Sequence, residues 1–135
     1  MPRMAQRDVS LILMRQLASG LAVPTFIVDA SGDMLFFNEP AEQLLGQRFD
    51  EAGDVRGVDR ARVFSVREED GQPVTQTREP LEVAMRERRA VHRRVIVRGL
   101  DGVDHNVEVM SFPLLGAGGG VIGGVAMFWE RKSQQ

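Results

Sequence analysis

The sequence predicts an α+β domain: one antiparallel five-stranded sheet with helices gathered on one face and an amphipathic helix flanking the N-terminus. Three observations predict it. Residues 92–98 and 104–112 alternate apolar and polar side chains, the period of a strand, with Asp101-Gly102 as a turn between them. Residues 25–28 and 34–37 are short β-rich runs on either side of Asp29-Ala30-Ser31-Gly32-Asp33, a turn whose Gly32 tolerates positive φ. Helical spacing takes over before the first hairpin and again between the two hairpins. The order helix, two strands, short helices, longer helix, three strands segregates helices from strands. A cleft between helix and sheet, a usual place for a ligand, follows from that order.

The chain has 135 residues, enough for one domain. Hydrophobic residues make up 43% and charged residues 27%, so a buried core is affordable in composition. The formal charge of −2 gives no whole-molecule attraction to nucleic acid or to an anionic membrane, and neither is expected as a partner. Cysteine is absent, which excludes disulfides, thiolate catalysis and cysteine-ligated metals. Residues 1–10 lack a signal-peptide pattern. The greasy run 121–129 is too short for a bilayer and contains Gly123 and Gly124. A cytoplasmic location is expected. The boundaries are an N-terminal flanking helix over 1–22, the main domain over 23–130 and a polar tail over 131–135.

In order, residues 8–21 read as a helix, with Asp8 as cap and Gly20 as stop. Val9, Ile12, Leu13, Leu17 and Leu21 form its apolar stripe, widened by Leu11, Met14 and Ala18. Pro24 ends helical continuation. After the first hairpin, Asn38 caps a short helix with Pro40 in its first turn, Ala41, Leu44 and Leu45 on its inner face and Gly46 at its end. Residues 50–62 read as irregular, and 68–73 as a loop. A longer helix starts near Pro80, capped by Glu79 or Thr77, with Leu81, Ala84 and Met85 inward and Arg86, Arg88 and Arg89 complementing its C-terminal dipole. The middle hairpin predicts a register. With Arg98 facing Asp104, Ile96 faces Asn106 and Arg94 faces Glu108, while Val95 meets Val107 on the other face. The two opposite-charge pairs are each worth about 0.2–1 kcal/mol.

Phe26-Ile27-Val28-Asp29-Ala30-Ser31-Gly32 and then Phe37-Asn38-Glu39-Pro40-Ala41-Glu42-Gln43-Leu44-Leu45-Gly46 resemble the opening strands and short helix of a PAS domain. Glu69-Asp70-Gly71-Gln72-Pro73, followed by Glu79-Pro80-Leu81 and Ala84, resembles the loop and central helix of a bacterial PAS subgroup. Leu100-Asp101-Gly102, Ser111-Phe112-Pro113-Leu114 and Gly120-Val121-Ile122-Gly123-Gly124-Val125 resemble the closing strands. The resemblance covers residues 24–130. Many PAS domains end in an Asp–Ile–Thr-like triplet that couples to an effector; this chain has Phe128-Trp129-Glu130-Arg131 there.

The resemblance implies a signal-sensing module rather than an enzyme, with flanking helices that commonly build a homodimer. The dimerising residues would be Val9, Ile12, Leu13, Leu17 and Leu21. It implies a small apolar ligand in the helix–sheet cleft, lined by Val28, Leu45, Leu81, Met85, Val95, Val107, Val109 and Met127, a set that is equally a plain core. A downstream kinase, phosphatase or cyclase is the implied effector, and a ligand-free interaction adaptor is the alternative. The cofactor stays unassigned. Haem-binding relatives carry a histidine on the central helix, which has none here, and a flavin adduct needs the missing cysteine. His92 and His105 are expected at the surface, without a metal-site pattern. Gly118-Gly119-Gly120-Val121-Ile122-Gly123 fits G-x-G-x-x-G but is followed by strand-like sequence, so it reads as a hairpin turn. Trp129 is expected to cap the sheet or an interface. The arginines from Arg86 to Arg98 read as a solvated helix end and strand face, without aromatic interleaving for nucleic acid.

Overall fold

A computed structural model of the chain describes residues 12–46 and 64–131. The Asp8 cap, Val9, the stretch 50–62 and the tail beyond Arg131 lie outside the described residues. The helix α1 occupies residues 12–19. Strands β1 (Thr25–Asp29) and β2 (Met34–Phe37) follow, then α2 (Glu39–Leu45) and β3 (Phe64–Arg67). A 3₁₀ turn (Gln76–Arg78) leads into α3 (Pro80–Glu87). Strands β4 (Val91–Gly99), β5 (Asp104–Leu115) and β6 (Val121–Glu130) complete the order.

The six strands form one antiparallel sheet in the order β2-β1-β6-β5-β4-β3. One strand more is present than the five expected. The additional strand is β3, which pairs Phe64 with Gly99 through Arg67 with Ile96 at the edge of the sheet. The middle hairpin adopts the expected register, with Arg98 opposite Asp104, Ile96 opposite Asn106, Arg94 opposite Glu108 and Val95 opposite Val107. Arg98 Nε donates to Asp104 Oδ1 at 2.7 Å, and Arg67 donates to Asp104 Oδ2 at 2.6 Å. Glu108 is met by His92 Nε2 at 2.8 Å. The glycine run is a hairpin element: a 3₁₀ turn, Ala117–Gly119, precedes β6, with Gly118 and Gly119 at positive φ.

Helices α2 and α3 cover one face of the sheet. Their core joins Phe26, Val28, Phe37, Leu45, Leu81, Val95, Val97, Val107, Val109 and Phe128. Phe26 packs against Phe37 edge-on and against Phe128 at 4.8 Å between ring centroids. The end of α2 is tied to β4, where Leu100 N–H donates to the Leu45 carbonyl at 2.9 Å. α1 lies on the opposite face, where Ala18 joins Ile27 and Val125 with Met14, Leu35, Phe36, Phe112, Leu114 and Met127 around them.

Asn38 links these layers. It is buried and caps α2 through an Ala41 N–H at 3.1 Å. The same oxygen accepts from Thr25 N–H at 3.0 Å. Its amide donates to the carbonyls of Ala18 and Val23, both at 2.9 Å. One side chain therefore bonds backbone groups of α1, β1 and α2 at once.

Candidate functional site

The site is the cleft between α3 and the inner face of the sheet. Alternation along β4 and β5 sends Val95, Val97, Val107 and Val109 inward, and Leu81 and Ala84 of α3 close over them. The start of α3 is anchored by charge. Arg93 shares the inward parity of Val95 and Val97, donates to the Arg78 carbonyl at 2.8 Å and pairs with Glu68. Glu68 also meets Arg78 at 3.5 Å. The end of α3 is held by Arg86, which donates to the Thr77 carbonyl at 3.2 Å, and by Arg88, which donates to the Gly119 carbonyl. These arginines hold the helix to its surroundings.

The cleft encloses a cavity of about 20 Å³ bounded by Phe26, Val28, Met34, Val66, Glu79, Pro80, Leu81, Val95, Val109, Ser111, Ala126 and Phe128. Of the lining set expected from sequence, Val28, Leu81, Val95 and Val109 stand in its wall. Leu45 and Val107 are fully buried in the surrounding core. Met85 packs against that core from the rim and borders a separate hollow with Ala30, Ser31 and Gly32. Met127 does not belong to the cleft. It pairs with Met110 and Thr25 and faces α1 on the other side of the sheet. The run 121–129 is apolar on both faces, so its parity is decided only by pairing with β5, which turns Ala126 and Phe128 inward. Phe26 and Ser111 join the wall by inward parity with Val28 and Val109, a signal present in the sequence, whereas Phe128 is placed there only by the pairing of β6.

On the outer face, Ile12, Leu13 and Leu17 are 55%, 58% and 58% exposed, while Ala18 is buried and Met14 half-buried. Leu21 is half-buried after the helix end, where its N–H donates to the Ala18 carbonyl at 3.1 Å. The helix thus turns its small and flexible side chains to the sheet and most of its expected stripe outward. Arg15 lies over the Phe36 ring at 4.8 Å. The sheet contact is made at β1, β2, β5 and β6. Trp129 remains 41% exposed.

His92 is exposed, as expected. His105 is not: its side chain is 16% exposed, with Nδ1 3.3 Å from Glu130 Oε1 and Nε2 buried without a partner among the described residues. The reason is parity with Val107, which points it inward although a turn is near. Among the described residues, no group of three or more acidic or histidine side chains is arranged to hold a metal ion. No helix among them is long and apolar enough to cross a membrane.

An antiparallel sheet with helices over a small apolar cavity defines an α+β fold of the helix-on-sheet class. The family model described as PAS fold matches residues 12–130, and the chain belongs to the PAS family. Its fold is similar to that of the PAS domain of BvgS from Bordetella pertussis, at 22% identity over 93% of this chain and 88% of that one, with a TM-score of 0.59. A PAS domain from Colwellia psychrerythraea is similar at 14% identity, covering 90% of this chain and 96% of its own, with a TM-score of 0.63. The LOV protein of Rhodobacter sphaeroides is similar at 13% identity over 91% of this chain and 67% of that one, with a TM-score of 0.69. No curated protein matches the chain in sequence. PAS domains are signal-sensing modules of sensors and regulators, and this chain is one of them.

Proposed function

We propose that this PAS module works by self-association and ligand binding rather than by catalysis: two copies meet through α1, and the cleft holds a small, mainly apolar ligand. The observation that carries the reading is the outward face of α1. Ile12, Leu13 and Leu17 are each more than half exposed on a helix already seated on its sheet through Met14 and Ala18. Contiguous exposed apolar surface on a helix marks an interaction site. Burying it against the same helix of a second copy satisfies both at once, as a two-fold interface requires. A downstream kinase, phosphatase or cyclase is the proposed recipient of the signal in the cytoplasm.

Native mass spectrometry tests both halves. A dimer is expected, and Leu13→Glu with Leu17→Glu is expected to convert it to monomer without loss of the folded state. A wild-type monomer at tens of micromolar would overturn the self-association reading. One observation favours a second reading, that of a ligand-free interaction adaptor: the cavity of about 20 Å³ has room for only one water-sized group. A dimer whose native and denatured subunit masses agree would support the adaptor, and extra mass released on denaturation would support the sensor.

A further inference from the structure

Among the described residues, the wall of the cleft is apolar apart from Ser111 and Glu79. Ser111 stands on β5 in phase with Val107 and Val109, is fully buried, and its Oγ meets no hydrogen-bond partner among the described residues. Buried hydroxyls nearly always have a partner, because an unpaired one forfeits its hydration without return. An alanine at this position would carry no such cost. The adjoining cavity, at about 20 Å³, slightly exceeds the smallest space that holds a water molecule. The room beside Ser111 is therefore that of one hydroxyl- or carbonyl-sized group. Val66 and Glu79 are the wall residues that retain solvent exposure, which places the way in between β3 and the start of α3. Met34, at 8% exposure, and Leu81, at 5%, are the flexible side chains that a longer body would displace.

We propose that Ser111 is the polar anchor of the cleft, and that the ligand is a small uncharged molecule with one hydroxyl or carbonyl oxygen on an apolar body. This rests on the ligand-binding reading above. The ligand is uncharged because a single neutral hydroxyl does not compensate the desolvation of an ion. The oxygen sits deep at Ser111 and the apolar body extends past Met34 and Leu81 toward the rim.

The test is a methyl NMR titration of the full chain, following Met34, Val66 and Leu81, with straight-chain alcohols from ethanol to 1-hexanol and with xenon as the apolar probe. The alcohols are expected to shift these methyls, with affinity rising about fourfold per added methylene. Ser111→Ala should weaken every alcohol by about tenfold, the scale of one hydrogen bond, and leave xenon binding unchanged. Ser111→Cys, close in volume but a weak donor, should weaken the alcohols by an intermediate factor. The melting temperature of Ser111→Ala should equal or exceed that of the wild type. Alcohols that bind Ser111→Ala as tightly as the wild type would overturn the anchor while leaving the ligand reading intact; Ser111 would then hold a water alone. Unmoved methyls with both probes would overturn the ligand reading and the anchor with it.

Discussion

Replacing Asn38 tests how the three layers of the domain are joined. Asn38→Ala removes the α2 cap, worth about 1 kcal/mol. It also removes the bond to Thr25 N–H and the two short bonds to the Ala18 and Val23 carbonyls. Each of these contributes about 1 kcal/mol net, and more where the backbone group stays buried. The expected loss is about 4 kcal/mol, a large share of the 5–15 kcal/mol typical of a domain. Asn38→Asp separates the contributions. Aspartate keeps the cap and the acceptor for Thr25, and it is as good a capping residue as asparagine. Its second oxygen, however, faces the carbonyls of Ala18 and Val23, with that of Leu21 at 3.5 Å. A buried charge against three acceptors is strongly unfavourable, so α1 should detach. Urea unfolding gives the stability, and amide exchange over residues 12–19 reports whether α1 is released before the sheet. If either variant stays within about 1 kcal/mol of the wild type, where a single ordinary hydrogen bond lies, the linking role of Asn38 is wrong.

Two further outcomes follow from the fold. A Cβ at Gly99 would lie 2.3 Å from the Leu45 carbonyl oxygen, a backbone atom fixed by its bond from Leu100; Gly99→Ala should cost about 3 kcal/mol in urea unfolding, and full stability would show that α2 and β4 are not in close contact. The Asp104 carboxyl is held at about 2, below its usual 3.8, first by the Arg98 hydrogen bond and then by that from Arg67. A lowered pKa stabilises the folded state above the unfolded value, and the contribution fades as pH falls from about 4 to about 2. Asp104→Asn should flatten the stability curve in that window alone, and the wild-type slope there should shrink with added salt. An unchanged acid limb in Asp104→Asn would contradict the pairing.

Much of the site was legible because a strand repeats every two residues. Arg94, Ile96 and Arg98 alternate with Val95 and Val97, and the opposite charges at Arg98 and Asp104 pinned the hairpin before any partner strand was known. The same rule fails where both faces are apolar. Residues 121–129 offered Met127 and Phe128 equally, and only hydrogen bonding to β5 and β1 chose Phe128 for the cleft. His105 looked like a turn residue because its neighbours in sequence are polar, yet it keeps the parity of Val107.

The sequence by itself determined the α+β order, the register of the middle hairpin and the Asn38 cap of α2, since each depends on side chains close along the chain; α3 starts without the side-chain cap expected at Glu79. Only the tertiary structure decided which side of α1 meets the sheet. Opposite Arg15, Gln16 and Ser19 the apolar arc runs from Leu13 and Leu17 round to Met14 and Ala18, wider than one sheet contact needs, so periodicity could not say which part of it is buried. Asn38 chose instead, by drawing the Ala18 carbonyl to 2.9 Å. At that distance the small Ala18 fits against Ile27 and Val125, and Ile12, Leu13 and Leu17 are left facing away.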